Sequence, residues 1–177
     1  MTAPALAGTL AEPIVIGLGG NLGDAAAIIE RFDRARFALA ALASDRITSA
    51  RLYRSAPIGP DQPWFLNTAL RIALPDAQPA ELLATLLEIE RLLGRRRAEE
   101  ARWGPRPIDL DLLVWGSRVI RTPELDVPHP RLAERRFALL PLIDLLGDSY
   151  LIPGHGTAGD LVGRVAEQAC DAIAATW

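Results

Sequence analysis

The chain contains no lysine: all 19 basic side chains among its 177 residues are arginines. A Walker-A phosphate loop needs a lysine, and so does a Schiff-base mechanism, so both classes are excluded. Cysteine is nearly absent too. Cys170 is the only one, which permits no internal disulfide and fits a reducing cytoplasm, the expected location. With His129 and His155 the only histidines, soft ligands are too few for a zinc site. No apolar run is long enough to span a membrane, and the N-terminus lacks the basic segment and apolar core of a secretory signal. A net charge of −3 gives no indication of nucleic-acid binding. What is present is a chain of single-domain size, 50% hydrophobic, able to bury a substantial core.

Residues 1–12 are small, Ala-rich and aperiodic, and are expected to form a flexible extension ahead of one domain over 13–177. Ile14 to Gly19 reads as a buried strand. Gly17-x-Gly19-x-x-x-Gly23 departs from the dinucleotide fingerprint and reads instead as a tight β-α turn needing positive φ. Helical spacing at Ile28, Phe32, Leu39 and Leu42 predicts a helix over 24–43. Strands are expected at 46–55 and 64–74, separated by a Pro/Gly-rich loop. Pro79 at a first helical turn and Gly94 beyond the last bound a helix over 79–93. An Arg-rich loop, 94–105, leads to a strand at 108–115. Residues 118–130 look extended, and 131–146 and 157–175 helical. The order β-α-β-β-α-β followed by helices predicts an α+β, ferredoxin-like sheet with helices on one face and extra C-terminal helices.

The strand at 108–115 is the most informative. Residues two apart on a strand share a face. Ile108, Leu110, Leu112 and Val114 are therefore expected to face a core, and Asp109 and Asp111 to stand side by side opposite. Two adjacent carboxylates repel, and burying them unpaired is costly. A hard divalent cation between them resolves the conflict, and Mg²⁺ is typically held by one or two carboxylates plus substrate phosphates. In the strand over 64–74, Leu66, Leu70, Ile72 and Leu74 alternate toward a core while Phe65 and Asn67 project the other way. An aromatic, an amide and two carboxylates are thus expected on the sheet face left open by the helices.

Arg102-Trp103-Gly104-Pro105-Arg106-x-x-Asp109-Leu110-Asp111-Leu112-Leu113 closely resembles the signature of the 6-hydroxymethyl-7,8-dihydropterin pyrophosphokinases, and the likeness extends over roughly 13–177. The resemblance implies the following roles. Asp109 and Asp111 hold two Mg²⁺ ions, and Arg95 and Arg106 lie nearest the reacting phosphates. Glu90, Arg97, Arg102, Trp103, His129 and Arg135 serve the ATP cosubstrate, with 94–105 a mobile loop closing over it. Asn21, Ser55, Ala56, Ile58, Phe65, Asn67 and Phe137 serve the pterin. A flat, polar heterocycle calls for aromatic faces, here Phe65 and Phe137, and in-plane donors and acceptors, which Asn67 supplies. Ala56 stands where the family often has Pro, Phe65 where some members have Tyr, and Leu87 where Gln is frequent.

The implied reaction transfers a pyrophosphoryl group from ATP to the pterin hydroxymethyl group and leaves AMP. A monomer acting on small molecules is expected, without nucleic-acid or membrane partners. Two other readings fit the strand alone. Another Mg²⁺-dependent phosphoryl or nucleotidyl transferase would release ADP or pyrophosphate. A non-catalytic ferredoxin-like module would bind without turnover.

Overall fold

The computed structural model describes residues 12–101, 103–175 and 177. The elements run β1 (Ile14–Gly20), α1 (Ala25–Ala40), β2 (Thr48–Ser49), β3 (Leu52–Ser55), β4 (Phe65–Ile72), α2 (Pro79–Leu92) and β5 (Asp109–Trp115). There follow β6 (Ile120–Arg121), β7 (Asp126–Val127), a 3₁₀ turn at Leu132–Glu134, α3 (Arg136–Leu146), β8 (Leu151–Ile152), β9 (Gly156–Thr157), α4 (Ala158–Arg164) and β10 (Cys170–Ala174). The main sheet has the order β10-β3-β4-β1-β5, with β2 also paired to β4. Its neighbours are antiparallel. The ferredoxin-like core expected from the β-α-β-β-α-β order is present, with one strand added at its edge. Among the described residues no helix is long and apolar enough to cross a membrane.

Local chemistry sets the helix ends. Asp24 caps α1, its carboxylate accepting from the Ala27 N–H at 2.8 Å. The helix buries Ile28, Phe32, Ala35 and Leu39. It stops at Ala40, so Leu42, expected in the same stripe, is exposed. In α2, Pro79 occupies the first turn, where its missing N–H costs nothing, and Gly94 follows the last turn at φ +95°. Leu82, Leu86 and Ile89 face inward with Glu90 beside them. Burying each such aliphatic side chain contributes about 1.5–3 kcal/mol.

Two cores lie on opposite sides of the sheet. Ile14, Ile16, Leu18, Leu66, Leu70, Leu110 and Leu112 pack beneath α1 and α2. Val15, Ala69, Leu113 and Val114 pack against Leu139 and Leu142 of α3 and Leu161 of α4. The extra C-terminal helices thus cover part of the sheet face that the sequence pattern left open. Strict alternation on β5 also fails. The register with β1 passes from Val15–Val114 to Ile16–Leu112, so the strand bulges at Leu113. Val114, expected with Ile108, Leu110 and Leu112, therefore joins the second core, and Trp115 takes the first.

The C-terminus departs most from expectation. Helix was expected over 157–175, but α4 ends at Arg164, and Cys170–Ala174 form β10 along the free edge of β3. An Ala-rich segment has little strand preference of its own; the unpaired N–H and C=O groups of the sheet edge supply the partner. Of residues 1–12, Glu12 alone is described. Its carboxylate accepts from the Arg118 guanidinium at 2.9 Å and the Ser117 hydroxyl at 3.1 Å, and the rest of the expected extension lies outside the described residues.

Candidate active site

Asp109 and Asp111 pair across β1 with Gly19 and Gly17. Neither glycine lies in the turn expected from their spacing; both are in mid-strand, and of the three only Gly23 has positive φ. Their lack of side chains keeps the floor of a cleft open beside the carboxylates. A Cβ on Gly19 would meet the Asn67 side-chain oxygen at 3.3 Å. Gly20 is required for another reason: a Cβ there would lie 2.7 Å from the Pro107 carbonyl oxygen, where β1 meets the approach to β5.

The two carboxylates have different surroundings. Asp109 is ringed by cations. Its Oδ2 accepts from Arg106 Nη1 at 2.7 Å, its Oδ1 accepts from Arg95 Nη1, and Arg97 Nη2 stands 3.7 Å away. Burial opposes its charge, but Arg95 and Arg106 outweigh that and hold its carboxyl below the usual range. Among the described residues Asp111 has distant partners, Arg135 Nη1 at 3.7 Å and His129 Nε2 at 3.9 Å. Burial and the negative charge of Asp109 push it up to about 7. His129 is driven the opposite way, to about 4, by burial and by Arg135. Its Nδ1 accepts the Arg131 N–H at 3.1 Å, which leaves the proton of the neutral ring on Nε2, the nitrogen facing Asp111.

Glu90 sits behind this wall, 1% exposed. Its Oε1 accepts from Arg95 Nη1 at 2.8 Å, Arg97 Nη2 at 2.9 Å and the Leu110 N–H at 2.8 Å; its Oε2 accepts from Arg97 Nε at 2.8 Å. A buried carboxylate with this many charge-assisted partners fixes both arginines and the backbone between the two aspartates. Arg95 also reaches Glu100 at 3.1 Å. The Arg-rich loop, expected to be mobile, is therefore tied to α2 and β5 at several points.

The other end of the cleft is aromatic. A cavity of about 250 Å³ is lined by Phe65, Phe137, Asn67, Ser55, Ala56 and Ile58, and also by Trp103, Arg106, Asp109, Asp111, His129 and Arg135. Asn67 Nδ2 donates to Ser55 Oγ at 2.9 Å, joining β4 to β3. Arg106 lies over the Phe65 ring, 5.5 Å from its centroid, and Arg135 over Phe137 at 5.7 Å. The aromatic and carboxylate residues expected on one face thus line one cavity. Such a cavity can stack a flat ring at one end and neutralise polyphosphate oxygens at the other.

Four expected residues do not line it. Glu90, Arg95 and Arg97 stand behind the Asp109 wall. Asn21 is a buried brace: its Nδ2 donates to Gln62 Oε1 at 3.0 Å and the Pro63 carbonyl at 2.9 Å, and its Oδ1 accepts the Arg106 N–H at 2.9 Å. Arg102 lies outside the described residues. Sequence reasoning missed Gln62, Thr68, Leu113 and Ala138, which also line the cavity. Gln62 carried a signal, as a polar side chain between Pro60 and Pro63, just ahead of the strand that bears Phe65 and Asn67. Leu113 carried one too, because strict alternation from Asp109 and Asp111 puts it on their face.

Among the described residues no three His, Cys, Asp or Glu side chains gather into a metal cage. Asp109 and Asp111 offer carboxylate oxygens alone on one wall. That donor set suits a hard cation completed by phosphate and water oxygens rather than a closed protein site.

Residues 15–147 match the family described as 7,8-dihydro-6-hydroxymethylpterin-pyrophosphokinase. The chain is 40% identical over 162 residues to a 2-amino-4-hydroxy-6-hydroxymethyldihydropteridine pyrophosphokinase of Synechocystis sp., covering 90% of this chain and 77% of that one. To the Haemophilus influenzae protein of the same name it is 33% identical over 154 residues, covering 86% and 92%. Among solved structures it resembles an HPPK-DHPS chain in complex with substrates, with a TM-score of 0.69 at 12% identity. It also resembles Plasmodium falciparum HPPK-DHPS with pteroate, with a TM-score of 0.67 at 14% identity. The chain covers 44% of each of those two, and that likeness bears on the fold alone.

Proposed function

Because the chain belongs to the 7,8-dihydro-6-hydroxymethylpterin-pyrophosphokinase family, we propose that the cleft between Phe65 and Asp111 is where it transfers the pyrophosphoryl group of ATP to the hydroxyl of 6-hydroxymethyl-7,8-dihydropterin. The products are the pterin diphosphate, on the way to tetrahydrofolate, and AMP. The observation that carries the assignment to this cleft is that one cavity holds the stacking pair Phe65 and Phe137, the Asp109–Asp111 wall and the cations Arg106 and Arg135.

The pterin stacks between Phe65 and Phe137, and Asn67 reads its edge by donating and accepting in the ring plane. Ser55, which already holds Asn67, keeps that amide oriented, and Ala56 and Ile58 wall the pocket. This places the hydroxymethyl group toward the carboxylates. The hydroxyl oxygen forms its bond to the β-phosphorus as the bond from that phosphorus to the α-phosphate oxygen breaks; AMP leaves with that oxygen, and the hydroxyl proton passes to solvent. Arg106 and Arg135 receive charge on the transferring oxygens, and neutral His129 donates from Nε2. Arg95 and Arg97, held by Glu90, set the charge around Asp109, and Trp103 with Arg102 borders the nucleotide. Asp109 and Asp111 would hold Mg²⁺, two ions in this reading, which when bound would lower the pKa of the hydroxyl and neutralise phosphate charge. We place the enzyme, as a monomer, in the cytoplasm, in keeping with its single buried thiol.

Incubation with ATP, Mg²⁺ and 6-hydroxymethyl-7,8-dihydropterin tests the assignment. AMP and a pterin diphosphate are expected in equal amounts. ADP as the nucleotide product would point to simple phosphoryl transfer, and binding without any product to a non-catalytic module.

A further inference from the structure

Arg135 stands where α3 begins, and its own side chain cannot serve that helix end. A guanidinium carries donors alone, so it offers no acceptor to the first N–H groups of a helix. Accordingly, Arg135 makes no side-chain cap for α3. The acceptor comes from far along the chain. Gln168, in the turn before β10, accepts the Arg136 N–H on Oε1 at 2.9 Å and donates from Nε2 to the Glu134 carbonyl at 2.8 Å. One amide thus takes the peptide groups on either side of Arg135.

The backbone makes this bracket possible. Arg135 has φ −125° and ψ 103°, an extended conformation. In extended chain the carbonyl before a residue and the N–H after it point the same way, as they do toward a neighbour in an antiparallel ladder. A glutamine amide presents a donor and an acceptor side by side, and here it takes the place of a peptide group on a neighbouring strand. The turn that bears Gln168 is itself held. Arg136 Nη1 donates to the Ala166 carbonyl at 2.7 Å and to the Gln168 carbonyl at 2.9 Å. The Ala56 N–H donates to the Ala169 carbonyl at 3.0 Å, which ties the turn to the end of β3. Gln168 does not line the cleft, so any effect it has on substrate runs through a neighbour.

We propose that Gln168 is a positioning residue for Arg135. With both flanking peptides held, rotation about the two main-chain bonds of Arg135 is restrained. Its guanidinium then stays where it lies, 5.7 Å from the Phe137 ring centroid and 3.7 Å from Asp111. Phe137 depends less on Gln168, because it rides on α3, which Ala138, Leu139 and Leu142 fix in the second core. The effect therefore falls on the charge that meets the transferring oxygens. A misplacement of about an ångström there is enough to lower the rate by up to about a hundredfold. The inference rests on the part given to Arg135 above.

The single-turnover rate of AMP formation from ATP, Mg²⁺ and the pterin, in the full chain, reads the chemical step. Gln168→Leu keeps the bulk and removes both hydrogen bonds. It should lower that rate about five- to tenfold and leave pterin affinity, by calorimetry, within about twofold of the parent. Gln168→Glu keeps the acceptor for the Arg136 N–H and should show a smaller loss in the same direction; it carries the test should the leucine variant fail to fold. A double-mutant cycle separates positioning from general loosening. Arg135→Ala should lower the rate about a hundredfold, and in that background Gln168→Leu should lower it further by less than about twofold. An equal loss in both backgrounds, or no loss beside an intact Arg135, would overturn the positioning role and leave the part of Arg135 standing. An Arg135→Ala variant that keeps the parent's rate would overturn the reading of Arg135, and this inference with it.

Discussion

Glu90 and Leu110 are joined by a hydrogen bond of 2.8 Å, the buried carboxylate on α2 accepting the amide N–H that lies between Asp109 and Asp111. The same oxygen takes Arg95, and Arg95 reaches Asp109. A helix side chain thus sets the backbone of β5 between the two aspartates and the charge around Asp109. Removing one partner of a buried ion pair leaves the other uncompensated, at a cost of about 3–5 kcal/mol. Glu90→Ala should lose stability of that order in urea denaturation, and hydrogen exchange should quicken across 94–101. A variant as stable as the parent, with unchanged exchange, would mean that Glu90 is not the anchor.

The aromatic pair makes a separable prediction. Phe65→Ala or Phe137→Ala should weaken pterin binding by about 1–3 kcal/mol, the range for stacking a base on an aromatic side chain. Nucleotide binding should change much less. Equal losses for both ligands in calorimetry would show instead that the substitution had collapsed the surrounding packing.

Much of this was legible in the sequence. Periodicity located β1, α1, β4, α2 and β5, and it put Phe65 and Asn67 on the face shared by Asp109 and Asp111. Local patterns failed where distant chain decided the outcome. Ala172 and its neighbours are strand only because β3 offers an open edge. Val114 leaves the face of Leu110 and Leu112 only because β5 bulges against β1. The cover of α3 over the carboxylate face depends on tertiary packing, including the Tyr53 hydroxyl donating to Asp144 at 2.8 Å. Arg95 and Arg97 show another limit: motif position marked them as important but could not say that Glu90 holds them behind the Asp109 wall.

The unequal carboxylates give a pH prediction for the metal-free protein. Asp111 is pushed from an ordinary value of 3.8 up to about 7, by burial first and by Asp109 second. Between about pH 4 and 7 the folded state keeps a proton that the unfolded chain has released. This contribution to stability is therefore full below about pH 4, falls as pH rises through about 7, and is level above. His129, lowered from 6.5 to about 4, acts with the opposite sign over nearly the same range, and Asp111→Asn leaves that part in place. With a chelator present, Asp111→Asn should gain stability relative to the parent as pH is raised from 5 to about 7 in urea titrations and then hold level to pH 8, a gain spread over about two pH units at no more than about 1.4 kcal/mol each. A constant difference between the two proteins would show that Asp111 is not the group that titrates.

Turnover by the folded Asp109→Asn, Asp111→Asn double variant tests the central claim most directly. Both substitutions keep side-chain size and remove the charge that suits Mg²⁺, so the circular dichroism spectrum should match the parent while AMP formation from ATP, Mg²⁺ and 6-hydroxymethyl-7,8-dihydropterin falls nearly to background. Near-normal, Mg²⁺-dependent AMP formation by that folded variant would contradict the placement of the reaction at this wall of the cleft.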